Sequence, residues 1–571
     1  MSVLSSFFKD KRKLEYLTVG ILICVLLVFF ILMPLVSVFS QSFLDSNGSL
    51  TILNYQNAFT LKETGTAILN SLVLGLCVTL LSSVIAVIEA YVLAKTKLKK
   101  IWWLDLILMI PFMVPPYINS MGWMLFMQRN GIVYRNLPFL RSFATSFYSF
   151  WGMVWVMSMH TAPFLTTMLK SAFLSFPKSI DDANDVYVKS GFKKFFKVYA
   201  PILLPNFAIG AFLVFVKALS EYGTPATFGT KINYLVFTTI ITNKMQVAPI
   251  DFSLAASLAS ILVLICMGLW VVQSIITSKK AVALKDEGNG KINNNVLPCV
   301  LGSIFLVLMF FFSTFIPLFT IIVSSFKKTL YKNLSVSGNF TWDNYKVAFL
   351  GEEGFSGGFE AIGNSFFIGI VSTLIILVLG LVFSIYTFRH KKKILGKGNE
   401  FLAMLPQMIP NIVTGIGMIM FFNTIYNFLP VYRTKWVLVI GYCVIFLPGM
   451  ISYIKNSLLQ MPSSMVEAGQ VYFKNNIRVN FFVVLPQALK GAFYGFAMTF
   501  IITLRELVTA KLLQPPSYYT ISLYIDRQFE QGNQQAAMAL AVVSVFLTLI
   551  LLLPLEFFMG RKERKQWKSK H

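Results

Sequence analysis

The stretch PKSIDDANDVYVKSGFKKFFKVYAP, from Pro177 to Pro201, is rich in charged residues although the chain is 56% hydrophobic. A second stretch of the same length, PSSMVEAGQVYFKNNIRVNFFVVLP, runs from Pro462 to Pro486, 285 positions later. Nine of the twenty-five aligned positions are identical, including both terminal prolines. We call these stretches the two doubled segments. A segment that recurs at this separation predicts a chain built from two related halves.

The composition of the chain is that of an integral membrane protein. The 571 residues have a mean hydropathy of +0.69, and charged residues account for only 13%, about half the share that is usual in soluble domains. A membrane span needs about 20 mostly apolar residues, and this criterion predicts an all-α protein with about 12 transmembrane helices. The predicted spans are residues 16–40, 66–94, 101–127, 149–169, 203–222, 252–276, 297–325, 363–388, 400–424, 436–456, 487–508 and 536–559.

Basic residues determine the predicted orientation. With the N-terminus in the cytosol, the loops on that side and the span ends next to them hold 33 of the 49 Lys and Arg residues, as the positive-inside rule requires. Membrane orientation then explains the net charge of +25, and nucleic acid is not needed as a partner. We predict a multi-pass protein, surrounded by lipid, with both termini in the cytosol. The three histidines and five cysteines are scattered, so we expect no metal site and no disulfide framework.

A polar linker divides the predicted spans into six and six. Besides the doubled segments, NYQNAF (54–59) recurs as NYKVAF (344–349), and MIPFMVPPYINSMG (109–122) recurs as MLPQMIPNIVTGIG (404–417). Six crossings return the chain to its starting side, so the two halves are expected to be parallel and pseudo-symmetric. The predicted parts are a first half 1–277 whose loop 177–205 contains the first doubled segment, a linker 278–296, a second half 297–560 with its doubled segment at 462–486, and a basic cytosolic tail 561–571.

Each doubled segment has the spacing of a short amphipathic helix. Its start has the S-x-x-D/E pattern of a capping box, and its apolar residues recur at helical intervals. One interpretation is a helix that lies on the lipid surface. The other is a docking element for a cytosolic partner that is itself two-fold, which the presence of one helix per half favours.

The doubled segments resemble the EAA loop of ABC importer permeases, in which E-A-A-x-x-x-G precedes L-P. Asp182-Ala183 and Glu467-Ala468 occupy the E-A positions, whereas Val188 and Phe473 stand where the family has Gly. In that family the loop forms a helix that docks on an ATPase subunit. The residues that the resemblance assigns to ATPase coupling are Asp182, Ala183, Val186, Tyr187, Glu467, Ala468, Val471 and Tyr472.

Further motifs resemble fused, two-times-six-span permeases for ferric iron. These motifs are RELVTAKLLQPPSYYT (505–520) and LSEYGTP (219–225). The resemblance implies a type I ABC importer permease in a bacterial cytoplasmic membrane, served by an external substrate-binding protein. The implied cargo is ferric iron, with thiamine, aminoethylphosphonate, a polyamine or a sugar phosphate as alternatives.

The glycine-rich stretches GNGKI (288–292) and GKGNE (396–400) lack the spacing of a P-loop. We therefore expect a permease that is not itself an enzyme, with no catalytic residue and no directly bound cofactor. ATP and Mg²⁺ would bind in two separate ATPase subunits.

Charged residues near span ends and prolines within spans are the candidates for a translocation pathway and gate. Ionisable residues in or near a span usually face a bundle interior or an aqueous cavity, and proline releases backbone carbonyls that need protein or water. The candidates are Glu221, Glu506, Lys217, Arg505, Pro115 and Pro410. The alternatives are local ion pairs or helix-terminal charges for the four charged residues, and ordinary helix kinks for the prolines.

Two other classes of protein remain open at this point. An ion-coupled secondary transporter also often has 12 spans in two parallel halves, but it needs no matched cytosolic helices. A channel or an assembly scaffold explains the doubled segments less well.

Overall fold

The computed structural model describes residues 16–45, 48–101, 103–176, 191–280, 296–351, 357–390, 393–473 and 475–570. Regular structure in these ranges is helical, apart from two isolated antiparallel bridges, Leu44–Leu50 and Lys327–Phe340. Residues 177–190 of the first doubled segment and most of the predicted linker lie outside the described ranges.

The helices in the first part of the chain are α1 (Tyr16–Ser42), α2 (Leu53–Thr60), α3 (Lys62–Lys95), α4 (Trp103–Met113), α5 (Pro116–Met127), α6 (Ile132–Asn136), α7 (Arg141–Phe147), α8 (Phe150–Leu174), α9 (Phe195–Ser220), α10 (Phe237–Gln246) and α11 (Phe252–Lys280). The later helices are α12 (Val296–Phe326), α13 (Asp343–Leu350), α14 (Gly358–His390), α15 (Ile394–Met408), α16 (Asn411–Thr424), α17 (Lys435–Leu459), α18 (Ser463–Phe473), α19 (Ile477–Leu504), α20 (Val508–Leu513), α21 (Ile521–Glu530) and α22 (Gln534–Lys570).

Most of the long helices are apolar enough to cross a membrane. Among the described residues nine helices meet this criterion singly, namely α1, α3, α9, α11, α12, α14, α17, α19 and α22. The pairs α4–α5 and α15–α16 meet it only as bent pairs, which raises the number to 11. The predicted fourth span coincides with α8, a helix of 25 residues that is in neither group. The all-α membrane architecture is confirmed, while the number twelve stays a prediction.

The third predicted span of each half is broken at its prolines. The chain bends by 85° between α4 and α5, and by 109° between α15 and α16. A steric clash disfavours helical geometry for the residue before a proline. Accordingly Pro115, which precedes Pro116, has a ψ of 134°, and Ile409, which precedes Pro410, has a ψ of 138°. These bends are far larger than the ~20° that defines a sharp kink, so the spans are broken.

One compact unit of the chain comprises the described parts of Met1–Thr51, Gly358–Tyr524 and Ile550–Phe558. Within it α1 packs closely on α16, because a Cβ atom added to Gly417 would lie only 2.5 Å from the carbonyl oxygen of Pro34. The Asn399 side-chain amide also donates a hydrogen bond to the carbonyl of Gly20 at 2.9 Å. The first span therefore packs against helices that come from the second half of the sequence.

The other compact unit comprises the described parts of Ile52–Gly357, Ile525–Leu549 and Met559–His571. Here α12 packs on α5 through the corresponding contact, since a Cβ atom on Gly122 would lie 2.8 Å from the carbonyl oxygen of Pro317. An aromatic cluster lies beside this contact, with the Trp123 ring stacked on Phe147 at 5.1 Å between centroids. The seventh span thus packs against helices from the first half of the sequence.

The compact units therefore do not coincide with the sequence halves 1–277 and 297–560. Each half contributes its first span to the unit that contains the broken span of the other half. The repeated Gly and Pro residues explain how this is possible, because both copies present the same small-residue contact. The boundaries of the sequence halves stay a prediction about the repeat, and they do not describe the packing.

We predict that Gly122→Ala and Gly417→Ala each destabilise the protein by about 1–3 kcal/mol, because the new methyl group overlaps backbone atoms that cannot easily move. The measurement is the midpoint of thermal unfolding of the purified protein in detergent. Matched controls are Gly268→Ala and Gly449→Ala, since a Cβ atom at either helical glycine would meet no atom within 4 Å. These controls should leave stability unchanged or raise it slightly. Equal midpoints for all four variants would contradict the close contacts.

Candidate functional site

The described copy of the doubled segment forms helix α18, and its predicted coupling residues lie on the surface. Glu467 and Ala468 are exposed, and the side chains of Val471 and Tyr472 are 77% and 80% exposed. Met465 adds another exposed apolar side chain on the same helix. The apolar stripe predicted from the sequence therefore does not pack against the rest of the described chain. Asp182, Ala183, Val186 and Tyr187 of the first copy lie outside the described residues.

The opposite side of α18 is fixed to the start of the eleventh span. Gly469 is buried, and a Cβ atom there would lie 2.9 Å from a methyl group of Val483. The ring of Phe473 stacks on Phe482 with 5.5 Å between centroids. Phe473, which replaces the glycine of the EAA pattern, is thus an anchor between the exposed helix and the span. A displacement of α18 would be transmitted directly to α19.

Both spans that follow the doubled segments contain a wide, π-type helical turn at corresponding positions. These turns are Phe195–Tyr199 near the start of α9 and Asn480–Val484 near the start of α19. A π-turn inserts an extra residue into the helix and frequently marks a functional site. The sequence pattern did not predict these turns, since FFKVY (195–199) and NFFVV (480–484) contain no proline or glycine that would interrupt a helix.

Glu221 and Glu506 occupy the same structural position in their respective units, just after α9 and just after α19. The backbone N–H and the hydroxyl of Thr224 both donate to Oε1 of Glu221. Oε1 of Glu506 likewise accepts the N–H of Thr509 at 2.9 Å. Both carboxylates are half-buried. Each acid therefore caps the short helical turn that follows its span, which is the helix-terminal role named among the alternatives.

The backbone at these two acids is fixed by a matching set of side chains. Thr238 donates its hydroxyl to the carbonyl of Glu221 at 2.9 Å, and Ser522 does the same for Glu506 at 2.6 Å. The loops that return to these points are bound by the repeated Asn-Ser pairs that open the second and eighth spans. Asn70 and Asn364 donate to the loop carbonyls of Leu235 and Tyr519, while Ser71 and Ser365 accept from the N–H groups of Phe237 and Ile521.

The two basic candidates differ in their surroundings. Lys217 is an exposed residue of α9, and its ammonium lies over the rings of Phe112 and Phe164, 5.5 Å and 5.2 Å from their centroids. Such cation–π contacts are favourable where water is scarce. Arg505 is half-buried directly after α19 and adjoins Glu506 in the chain. The basic groups are therefore not symmetry mates, whereas the two acids are.

The break at Pro115 leaves a backbone carbonyl that another helix satisfies. Pro115 has no N–H, so the carbonyl of Pro111 cannot receive its usual helical hydrogen bond. The Nδ1 atom of His160 on α8 lies 2.8 Å from this carbonyl oxygen, and Nδ1 is the donor because a carbonyl only accepts. His160 therefore has a structural role at the broken span.

Helix α5, which follows this break, carries polar side chains that the sequence analysis did not single out. Tyr117, Asn119 and Trp123 are each 1–2% exposed. The Tyr117 hydroxyl, the Asn119 amide and the Trp123 indole N–H have no hydrogen-bond partner among the described residues. Leaving such groups unpaired is costly. In sequence they could have been found only as polar residues next to a predicted break.

Within the described ranges, no three His, Cys, Asp or Glu side chains come together in a way that could hold a metal ion.

Comparison with known proteins identifies the class of this chain. Residues 376–567 match the family model described as binding-protein-dependent transport system inner membrane component. The chain is 23% identical to the ferric transport system permease protein FbpB of Actinobacillus pleuropneumoniae over 98% of its own length and 81% of the relative. It is 22% identical to the Fe(3+)-transport system permease protein FbpB 2 of Haemophilus influenzae, over 84% of the chain and 87% of the relative. It is also 24% identical to the spermidine/putrescine transport system permease protein PotC of Haemophilus influenzae, over 42% of the chain and 88% of the relative.

Together with the all-helical membrane fold, these matches confirm the resemblance stated from the sequence. The chain is a fused permease of the type I ABC importer class and is similar to the ferric transport group. The match to a relative of about half the length agrees with a chain made of two permease halves.

The roles of Glu221 and Glu506 can be separated by paired substitutions. Glutamine keeps the Oε1 acceptor that caps the next turn and removes only the charge, whereas alanine removes both. If the acids meet a cationic solute, Glu221→Gln with Glu506→Gln lowers uptake about tenfold or more and leaves stability and assembly unchanged. The double alanine variant additionally lowers the unfolding midpoint, because it loses both caps.

The measurements are solute uptake into vesicles and thermal unfolding of the same preparations. Uptake that is unchanged in the double glutamine variant and reduced only in the double alanine variant would leave the acids with the capping role alone.

Proposed function

We propose that this ABC importer permease is driven by ATP hydrolysed in two separate ATPase subunits, each bound to one doubled segment. The observation that carries the proposal is the exposed face of α18, where Val471 and Tyr472 project away from the described chain. An exposed apolar surface of this kind is typical of a docking site. The second doubled segment is on the predicted cytosolic side, where an ATPase would be found.

The attachment of α18 supports a mechanical role. The helix is connected to α17 and α19 by very short links, and Phe473 and Gly469 fix it to the start of α19. Closure of an ATPase dimer around ATP and Mg²⁺ would draw the two doubled segments together. Each movement would pass into the following span and toward the acid at its far end. The gate would then open toward an external binding protein that delivers the solute.

We infer that the pathway runs beside the broken spans. Irregular backbone at membrane depth is tolerated only against protein or water, and both Pro115 and Pro410 lie at such breaks. Glu221 and Glu506 would lie at the outer end, with Lys217 and Arg505 as the basic groups nearby. Helix α5 and its buried polar groups lie directly after the first break, which is a suitable place for contact with a polar solute.

Ferric iron is the proposed cargo. Two relatives that align with most of the chain are named as ferric or Fe(3+) permeases, and carboxylate oxygens suit hard cations. A polyamine is the second candidate, because one relative is named for spermidine and putrescine and acids suit that cation equally. Thiamine is also cationic, whereas aminoethylphosphonate and sugar phosphates are less well matched to a pair of carboxylates.

The deciding experiment uses the permease reconstituted in proteoliposomes with its ATPase and a loaded binding protein. We expect uptake of radiolabelled ferric iron that requires ATP and persists when the proton gradient is collapsed. Ferric binding protein should stimulate ATP hydrolysis, whereas binding protein loaded with spermidine should not. Uptake that follows an ion gradient without ATP would instead support a secondary transporter.

The docking surface makes a separate prediction. Tyr472→Ala with Val471→Ala removes most of the exposed apolar area of α18, so the amount of ATPase that co-purifies should fall at least about tenfold. Phe546→Ala is the matched control, because Phe546 is also an exposed aromatic (62%) but lies within a predicted membrane span. Co-purification that is unchanged in the α18 variant would contradict docking at this helix.

A further inference from the structure

Two ion pairs recur at corresponding positions in the two units. In one unit Nζ of Lys170 lies 2.5 Å from Oδ1 of Asp105. In the other, Nζ of Lys455 is paired with Oε1 of Glu400. The sequence analysis assigned no role to any of these four residues.

The positions of the four residues match in the repeat although their sequence surroundings differ. Lys170 and Lys455 both lie seven residues before the proline that opens a doubled segment. Asp105 and Glu400 both lie ten residues before the proline at the break, Pro115 or Pro410. The acid is Asp in one copy and Glu in the other, so the common property is the opposite charge and not the identity of the residue.

Each ion pair joins the same two elements. Asp105 is on α4, the helix before the 85° bend, and Lys170 is near the end of α8, seven residues before the first doubled segment begins. Glu400 is on α15, before the 109° bend, and Lys455 is near the end of α17. The pairs therefore connect the helix that enters each doubled segment with the helix that leads into each broken span.

Partial burial makes these contacts stronger than ordinary surface pairs. The side chains of Lys170 and Asp105 are 19% and 41% exposed, and those of Lys455 and Glu400 are both 28% exposed. Exposed pairs are screened by water and contribute little, whereas removal of one partner at a partly buried site leaves an unpaired charge. Burial lowers the pKa of Lys99, the positive charge of Lys95 lowers it further, and the positive charge of Lys170 adds a smaller effect in the same direction. Asp105 thus balances a locally basic region.

We propose that these two ion pairs are transmission links, which make the first segment of each broken span move with the helix that enters the doubled segment. This inference rests on the proposed function, in which an ATPase displaces the doubled segments. Displacement of a doubled segment would reach the pathway by two routes, forward through the span that follows it and backward through the ion pair. Asp105, Lys170, Glu400 and Lys455 are positioning residues in this scheme, and they do not contact the solute.

The test is a charge exchange in the complete transporter, reconstituted with its ATPase and loaded binding protein. The single variants are Glu400→Lys and Lys455→Glu, and the double variant exchanges the two charges. We expect each single reversal to lower the amount of solute imported per ATP hydrolysed about tenfold while ATP hydrolysis continues, and the exchange to restore the ratio to within about twofold. Asp105→Lys, Lys170→Asp and their double variant form the second set.

Two controls separate transmission from simple stabilisation. Lys346→Gln breaks the ion pair between Nζ of Lys346 and Oδ1 of Asp343, which are 4.0 Å apart on side chains that are 75% and 71% exposed. This variant should leave the amount of solute imported per ATP unchanged. Glu400→Gln is a milder neutral variant in case a reversal prevents assembly. It should lower the ratio without a matching fall in the unfolding midpoint.

The outcomes are distinct. Suppose that the native protein imports solute with ATP, and that the single charge reversals import as much solute per ATP hydrolysed as the native protein does. The inference is then overturned and the proposed function stands. If the single reversals lower both the solute imported per ATP and the unfolding midpoint, and the double charge-exchange variant restores neither, the ion pairs are structural only. That outcome also overturns the inference. If the native protein shows no ATP-dependent import, the proposed function fails, and the links fail with it.

Discussion

The rest of the structure depends on one constraint, which is that every backbone polar group at membrane depth needs a partner. The chain leaves helical geometry at the broken spans and again after the fifth and eleventh spans. At three of these four places a side chain takes over the lost hydrogen bond. His160 serves the carbonyl of Pro111, while Glu221 and Glu506 serve the N–H groups of the turns that follow them. The polar residues in and near the spans are therefore needed first to make a non-helical chain possible in lipid.

This constraint also shapes the function. A broken span has two segments that can rotate about the break, unlike a continuous helix, so it can respond to a displacement at one end. The first segments, α4 and α15, are bound by ion pairs to the helices that enter the doubled segments, and α18 is bound by Phe473 to the span that follows it. In the proposed function, a displacement of the exposed helix α18 would pass through these attachments to the broken spans.

The exchange of first spans has a simple physical origin. Gly122 meets Pro317, and Gly417 meets Pro34, so both contacts use a glycine that admits the backbone of a proline-containing helix. Both first spans carry the proline, and both broken spans carry the glycine, that such a contact needs. The sequence repeats therefore predict that the contact exists and cannot predict which copy forms it. Only the path of the connecting chain and the packing of the neighbouring helices select the partner.

The sequence alone indicated the membrane class, the two related halves and the doubled segments through composition, periodicity and repetition, and it indicated the permease family through the resemblance of its motifs. It also singled out Pro115, Pro410, Glu221 and Glu506, whose roles in transport stay a prediction. It could not decide between a kink and a break, or between a free acid and a capping one, since both depend on the partners that a backbone group finds. The ion pairs of Lys170 and Lys455 and the unpaired groups on α5 were likewise invisible, because they join residues far apart in the chain. Those features follow from which helices touch, and helix contacts in a membrane are selected by close packing, which a hydropathy pattern does not record.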